Sequence, residues 1–309
     1  MKISIIIPVY QVEKYIGACL DSVLAQTFND LEIICIHDAG GDASPEIVKA
    51  YAEKDARIRF YENEQNMGLA SVRNRGMDLA RGKYLYFLDS DDMIRPDALE
   101  ELYRRAEAEQ LDVQIFGAEF IYETRALEEK FHTNHAQFKQ EYPKVTDGRS
   151  LYVKWMDIWD WMPSQPRFFY RRDFLQKNTI RFVDGMLHED ETFAFDVLMH
   201  ADRIRVTNDE FFIRRFREDS IMSSIPRMKN VEGCIEILKH VSEYPVKDEA
   251  LLRSIRFYMS KIFRDAARKY RLVMTEAAEE QRNLSEETIV DPVRMAIYHL
   301  IEMNAMWGE

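Results

Sequence analysis

The sequence predicts an α/β fold, a mostly parallel sheet flanked by helices, with a C-terminal helical region. Three observations predict it. The first ninety residues alternate short β-branched or aromatic runs with helical patterns; those runs are almost purely apolar; and beyond Pro226 only helical periodicity remains. Strands that are apolar on both faces belong to sheets covered on both sides, as parallel sheets are.

The strand runs are Ile3–Val9, Leu31–Ile36, Ile58–Tyr61 and Lys83–Leu88. Between the first two, Ile16, Cys19, Leu20, Val23 and Leu24 recur at helical spacing and make one apolar face. The second helix opens at Ser44-Pro45-Glu46, a capping residue, a proline at the first helical position and an acid in the first turn. The third carries Leu69, Val72, Leu79 and Ala80 on one side, and Gly82 ends it. Strands joined by such helices run parallel with right-handed crossovers.

A further helix starts near Pro96 and buries Leu99, Leu102 and Tyr103, and a strand follows at Val113–Phe116. Residues 123–148 are polar and read as a loop-rich excursion over the sheet edge. Then come an aromatic helix-like segment with Trp155, Trp159 and Trp161, a strand at Arg167–Tyr170, a helix at Glu191–His200 and strands at Arg203–Val206 and Phe211–Arg215. The expected division is an α/β unit over 1–220 and a helical region over 221–309.

Composition narrows the function. The 309 residues include 42 Lys plus Arg against 54 Asp plus Glu, and a net charge of −12 argues against a general nucleic-acid surface. The three cysteines, Cys19, Cys35 and Cys234, form no Cys-x-x-Cys pair, so a zinc framework is not expected and a reducing, cytoplasmic setting is. No run reaches the ~18–20 apolar residues of a membrane span. The stretch from Ile3 to Val12 is broken by Pro8 and reads as a strand rather than a signal peptide.

Parallel strands bring their strand-to-helix loops to one carboxyl edge, where open α/β sheets bind ligands. Four loops meet there: Pro8-Val9-Tyr10, His37 to Asp42, Asn63 to Asn66, and Asp89 to Asp92. Asp89-Ser90-Asp91-Asp92 suits either a hard divalent cation or a helix cap; three acids bunched at a ligand edge favour the cation. Asp38, followed by Gly40 and Gly41, is either a turn residue or a ligand contact in a loop that admits close approach. Arg73 is either a surface arginine or a phosphate partner. Glu189-Asp190-Glu191 suits a helix first turn, and equally a general base near an acceptor hydroxyl. His132 and His135 have no ligand-type companions and read as solvated, and the tryptophans read as core or as sugar platforms. Neither Gly-x-Gly-x-x-Gly nor Gly-x-x-x-x-Gly-Lys occurs, against dinucleotide and P-loop enzymes.

Together, Ser4-Ile5-Ile6-Ile7-Pro8-Val9-Tyr10, Ser22-Val23-Leu24-Ala25-Gln26-Thr27, the Asp38 loop, Asn66-x-Gly68 with Arg73-Asn74, and Phe87-Leu88-Asp89-Ser90-Asp91-Asp92 resemble the family 2 glycosyltransferases. Glu189-Asp190 with Phe193, and Arg215-Phe216-Arg217-Glu218-Asp219-Ser220-Ile221, resemble its bacterial surface-polysaccharide members. The resemblance implies the GT-A fold, a Rossmann-like sheet. It implies that Pro8, Val9 and Tyr10 line the base pocket, that Asp38 meets a uracil edge, that Asn66 joins the donor-binding set and that Arg73 faces the nucleotide. Asp89 and Asp91 stand where the family's Asp-x-Asp binds ribose, diphosphate and Mn²⁺ or Mg²⁺, with Asp92 as a further ligand; Asp190 matches the catalytic base and Glu189 its supporting neighbour.

The chain departs from the family at His37-Asp38-Ala39-Gly40-Gly41-Asp42, where Asn-Asp-Gly-Ser-x-Asp is common, and at Arg214, where Tyr is expected. The Gln-x-x-Arg-Trp motif of processive synthases is absent, which fits single addition. The expected function is metal-dependent, inverting transfer of one sugar from a nucleoside diphosphate donor, UDP-linked by preference, to a hydroxyl of a surface glycan or lipid-linked acceptor. Its rivals are a sugar-phosphate nucleotidyltransferase, which needs a Gly-rich basic loop where this chain has Pro-Val-Tyr-Gln-Val-Glu, and a non-catalytic sugar-nucleotide scaffold. In 251–271 a basic side with Arg253, Arg256, Lys261, Arg264, Arg268 and Arg271 opposes an apolar stripe, suiting an anionic membrane at the cytoplasmic face, a solvated surface or a homodimer contact.

Overall fold

A computed structural model describes residues 1–131, 136–218 and 227–279. His132 and His135, the Asp219-Ser220-Ile221 end of the second motif and the chain after 279 lie outside the described residues. The elements are β1 (Ile3–Val9), α1 (Ile16–Leu24), β2 (Leu31–His37), α2 (Ser44–Ala52), β3 (Ile58–Glu62), α3 (Leu69–Leu79), β4 (Tyr84–Phe87), β5 (Met93–Ile94), α4 (Ala98–Glu109), β6 (Val113–Tyr122), α5 (Arg125–Phe131), α6 (Gly148–Ile158), β7 (Phe168–Arg171), α7 (Arg172–Lys177), α8 (Glu189–His200), β8 (Ile204–Phe216), α9 (Met228–Ser242) and α10 (Glu249–Glu279).

The strands form one sheet in the order β3-β2-β1-β4-β7-β6-β8-β5. β1 pairs in parallel with β2 and β4, and β2 with β3. β7 runs antiparallel between β4 and β6, while β6 and β8 are parallel. The chain steps outward from β1 to β3, then crosses to β4 on the other side of β1. The resulting crevice at the carboxyl ends of β1 and β4 is a topological switch point, where such sheets take ligands.

Every residue of β1 is buried, and its side chains alternate between two layers. Ile3, Ile5, Ile7 and Val9 pack with α1, α2 and α4, whereas Ile6 packs with α3, α6 and α8. The helix α3 lies close enough that a Cβ on Gly76 would fall 2.3 Å from Ile6 Cγ2. In that second layer Trp155 is fully buried and stacks on Phe138 at 5.5 Å between centroids, so this tryptophan serves the core.

β8 departs from expectation: 203–206 and 211–215 belong to one strand. Ile115 faces Val206 but Gly117 faces Glu210, so the extra residues bulge out of the ladder instead of ending it. Gly117 permits this, since a Cβ there would lie 2.8 Å from the Asn208 carbonyl oxygen. Residues 123–148 include the short α5, and two-residue β5 and six-residue α7 are too brief to leave a periodic signal. The expected apolar stripe of α10 is buried at Leu251, Ile255, Tyr258, Met259, Ile262 and Ala266, in one core with α6 and α8. Its Arg253, Arg256, Arg264, Arg268 and Arg271 are exposed. Among the described residues, no helix is long and apolar enough to cross a membrane.

Candidate active site

The loop after β4 leaves the sheet at Asp89 and turns at once, with the Asp92 amide donating to the Asp89 carbonyl at 3.0 Å. That turn divides the three acids. The Asp89 and Asp91 side chains are partly exposed, at 36% and 23%, whereas Asp92 is buried and accepts from the Arg215 amide at 2.7 Å. Burial, with Asp91 and Asp89 nearby, holds the Asp92 carboxyl well above the usual range. Of the three expected metal ligands, Asp92 is thus turned into the protein, joining the loop to β8. Arg217 pairs with Asp91 at 2.8 Å, and the Arg215 Nε donates to the Asp91 carbonyl at 3.1 Å.

No group of three or more His, Cys, Asp or Glu side chains among the described residues is arranged to hold a metal ion. Two solvent-facing carboxylates on one turn nevertheless fit a hard divalent cation that takes its remaining oxygens from a bound diphosphate and water.

Arg73, in the second turn of α3, is only 1% exposed and gathers the second acidic cluster onto the first. Its Nη2 pairs with Asp89 at 2.9 Å; its Nη1 pairs with Asp190 at 2.5 Å and with Glu189 at 3.0 Å. The guanidinium also lies 5.3 Å from the centre of the Phe182 ring, which stacks on Phe193 at 3.9 Å. Burial opposes the charge on Arg73, but Asp190, Asp89 and Glu189 hold it cationic. Arg73 therefore faces carboxylates here, not solvent, and organises the site from beneath.

One guanidinium cannot offset three carboxylates. Burial pushes the Asp190 carboxyl up; Arg73 draws it down, Glu189 and Asp89 push it up, and it stands at about 8. Asp190 sits in the first turn of α8, behind His188 with φ 66°. Its carbonyl receives the Gln165 amide at 3.4 Å, and Gln165 is fixed by the Tyr170 hydroxyl at 2.6 Å. Gln165 and Tyr170 belong to no sequence motif, whereas Arg217 lies in the Arg215-Phe216-Arg217 run, one residue past the end of β8.

On the other side of the crevice, Asp38 is 4% exposed. Its Oδ1 accepts from Asn63 Nδ2 at 2.6 Å and the Met67 amide at 2.9 Å, and its Oδ2 from the Gly68 amide at 2.9 Å. Asn66 Nδ2 reaches the Asp38 carbonyl at 3.3 Å. Asp38 thus shapes the loop into α3 and keeps little acceptor capacity beyond that. Pro8 and Val9 are buried below it, with the Val9 carbonyl accepting from the Asp38 amide at 3.0 Å, whereas Tyr10 is 45% exposed at the mouth. Ala39 and Gln11 both adopt φ 52°, a left-handed conformation that glycine takes without penalty.

A mostly parallel sheet with its switch point at β1 and β4, two aspartates at its mouth and a buried Arg linking one of them, Asp89, to a further acid define a GT-A glycosyltransferase site. Residues 4–183 match the profile of Glycosyl transferase family 2, and the chain belongs to that family. Glycosyltransferase GlyA of Streptococcus pneumoniae is 32% identical over 221 residues, covering 71% of this chain and 31% of GlyA. The poly(ribitol-phosphate) beta-glucosyltransferase of Bacillus spizizenii is 27% identical over 292 residues, covering 91% and 43%. The chain thus spans under half the length of these two relatives. Among solved structures, residues 1–349 of TarS from S. aureus in complex with UDP-GlcNAc share the fold at a TM-score of 0.68 and 22% identity, covering all of this chain and 93% of that one. The mannosyltransferase PcManGT of Pyrobaculum calidifontis, in complex with GDP-Man and Mn²⁺, does so at 0.60 and 15%, covering all of this chain and 88% of the other.

Proposed function

We propose that this chain is a metal-dependent, inverting glycosyltransferase that moves one sugar from a nucleoside diphosphate donor, UDP-linked by preference, to a hydroxyl of a surface glycan or lipid-linked acceptor. The observation that carries the reading is the joint pairing of Asp89 and Asp190 with Arg73, which sets a donor-side carboxylate and a base on the same buried cation. TarS bound to UDP-GlcNAc supports the donor class, PcManGT with Mn²⁺ supports the metal, and the poly(ribitol-phosphate) glucosyltransferase supports a cell-surface polymer as acceptor.

In this reading Tyr10 covers the base at the mouth, and the Asp38 loop shapes the pocket. Asp89 and Asp91 would hold Mn²⁺ or Mg²⁺ together with the diphosphate, and that metal would offset the negative charge on the leaving group. Arg217, already beside Asp91, adds charge on the same side. The acceptor oxygen attacks the anomeric carbon on the face opposite the diphosphate, the bond from that carbon to the phosphate oxygen breaks, and Asp190 takes the hydroxyl proton. Glu189 and Arg73 keep Asp190 oriented. The catalytic unit is 1–220; of the region after it, the described helices α9 and α10 pack on that unit, and the exposed arginines of α10 suit an anionic membrane at the cytoplasmic face, a solvated surface or a homodimer contact.

A thermal-shift panel of nucleoside diphosphates, UDP-sugars and GDP-sugars, with and without Mn²⁺, tests it. Stabilisation that needs metal and selects one nucleotide supports the reading. A flat response in folded protein, or pyrophosphate release from a nucleoside triphosphate and a sugar phosphate, overturns it.

A further inference from the structure

The C-terminal helices touch the loop that presents Asp190 at three points. Upstream, Gly233 of α9 lies against Leu187: a Cβ there would be 2.4 Å from the Leu187 carbonyl oxygen. Next, Lys269 of α10 donates to His188 Nε2 at 3.0 Å and is itself paired with Asp265 at 2.8 Å. Burial and the Lys269 charge bring the His188 imidazole down to about 4, so it is neutral and free to accept that bond. Downstream, one oxygen of Glu191, Oε2, accepts from both the Tyr258 hydroxyl of α10 and Trp161 Nε1, each at 2.6 Å.

Residues 187, 188 and 191 are therefore each held by a neighbour from outside α8, and the two residues left between them are Glu189 and Asp190. The backbone here is one that needs holding. His188 has φ 66°, which a non-glycine residue keeps only where its surroundings enforce it. The apolar contacts agree, since Tyr258 packs edge-on against Tyr152 and Trp161 at 6.3 and 5.6 Å between centroids.

We propose that α9 and α10 form a clamp that sets the position of Asp190, with Tyr258, Lys269 and Glu191 as positioning residues for the transfer reaction; the inference rests on Asp190 being the base of that reaction. A base carried on the first turn of a helix is aimed by that turn, and displacement by ~1 Å costs on the order of 10²-fold in rate. The helical region then belongs to the catalytic device through its contacts with residues 187, 188 and 191.

The test uses the full chain with Tyr258→Phe, Lys269→Met and Glu191→Gln. Tyr258→Phe and Lys269→Met each remove a hydrogen bond and keep most of the volume, and are expected to lower kcat by ~10–100-fold while the donor KM stays within about twofold. Glu191→Gln keeps an oxygen for both donors and is expected to retain kcat within about threefold, as a positioning role requires. The Asp190 carboxyl resonance, assigned by its loss in Asp190→Asn, is followed by NMR in the same proteins. It is expected to move in Tyr258→Phe and Lys269→Met and to hold in Glu191→Gln. Unchanged kcat and unchanged resonance in both disruptive variants overturn the clamp, as does a kcat loss matched by an equal loss of donor affinity. A wild-type chain that consumes no donor overturns the proposed function instead, and the resonance still decides whether the clamp exists.

Discussion

The Asp190 carboxyl is raised from an ordinary value of ~3.9 to about 8, because it is partly withdrawn from water, at 29% exposure, and shares one guanidinium with two other acids. A base must be ionised to take a proton. At pH 7 about one-tenth of the free protein carries the Asp190 carboxylate, and at pH 6 about one-hundredth. The donor kcat/KM is accordingly expected to rise with pH from pH 6 and to level off at or below about pH 8, because a metal on Asp89 would offset one of the charges that push Asp190 up. Asp190→Asn is expected to lower turnover by ~10²–10⁴-fold at pH 8 with little change in donor affinity. The sign for stability is opposite to that for activity. A carboxyl whose folded value exceeds its unfolded value stabilises the fold while protonated, and that contribution is lost as pH rises from about 4 to about 8. Asp190→Asn should therefore gain stability relative to wild type between pH 5 and pH 8, which separates lost catalysis from unfolding. Nucleoside diphosphate release at saturating metal, read from pH 6 to pH 9 beside thermal melts, makes the measurement. A flat rate profile, or a variant with wild-type turnover, would refute the reasoning.

Arg73→Met leaves Asp89, Glu189 and Asp190 without their shared cation, and with Arg73 and Glu189 buried but Asp89 and Asp190 partly screened by water the cost is ~1–3 kcal/mol; urea unfolding should find that loss at pH 8 and a smaller one at pH 5, and no loss at either pH would count against it. Mn²⁺ alone should shift the melting temperature little, because Asp89 and Asp91 leave most of its oxygen ligands to be supplied by the diphosphate and water, while Mn²⁺ with UDP should raise it in wild type and fail to do so in Asp91→Asn. Ala39→Gly should stabilise the fold by ~1 kcal/mol, since it relieves a left-handed alanine; a destabilised variant would mean that the alanine methyl has a packing role. Sedimentation with anionic vesicles should carry the chain down at low salt, and Arg253→Glu with Arg264→Glu should abolish this; salt-independent binding, or none, excludes the membrane role for α10.

The strands legible in the sequence were those with pure apolar runs, because a strand covered on both faces leaves no other pattern. β1, β2, β3 and β4 fell within one or two residues of expectation, and so did the loops they feed. β8 reads as two strands in the sequence because its bulge inserts polar Thr207, Asn208 and Asp209, which look like a turn. The acids of the site were readable from their bunching at the ends of elements, yet their division of labour was not. That Asp92 turns inward depends on an amide of Arg215, 123 residues away, and that Asp38 is occupied by backbone amides depends on the shape of the Met67-Gly68 turn. Arg73 looked like a surface or phosphate arginine, since no local pattern announces that two acids from α8, 116 and 117 residues later, fold onto it. Contacts between distant segments are set by the packing of helices on the sheet, and periodicity within one segment carries no record of them.

In the proposed reaction, donor capture falls to Asp89 with Asp91 on one side of Arg73 and proton removal to Asp190 on the other. Titration calorimetry of a UDP-sugar with Mn²⁺ into wild type, Asp91→Asn and Asp190→Asn, run beside an assay of UDP release with acceptor present, tests it most directly. The expected result is tight binding and turnover in wild type, metal-dependent binding lost in Asp91→Asn, and binding kept within about twofold with turnover down ~10²–10⁴-fold in Asp190→Asn. Equal loss of binding in both variants, or turnover that survives in Asp190→Asn, would contradict it.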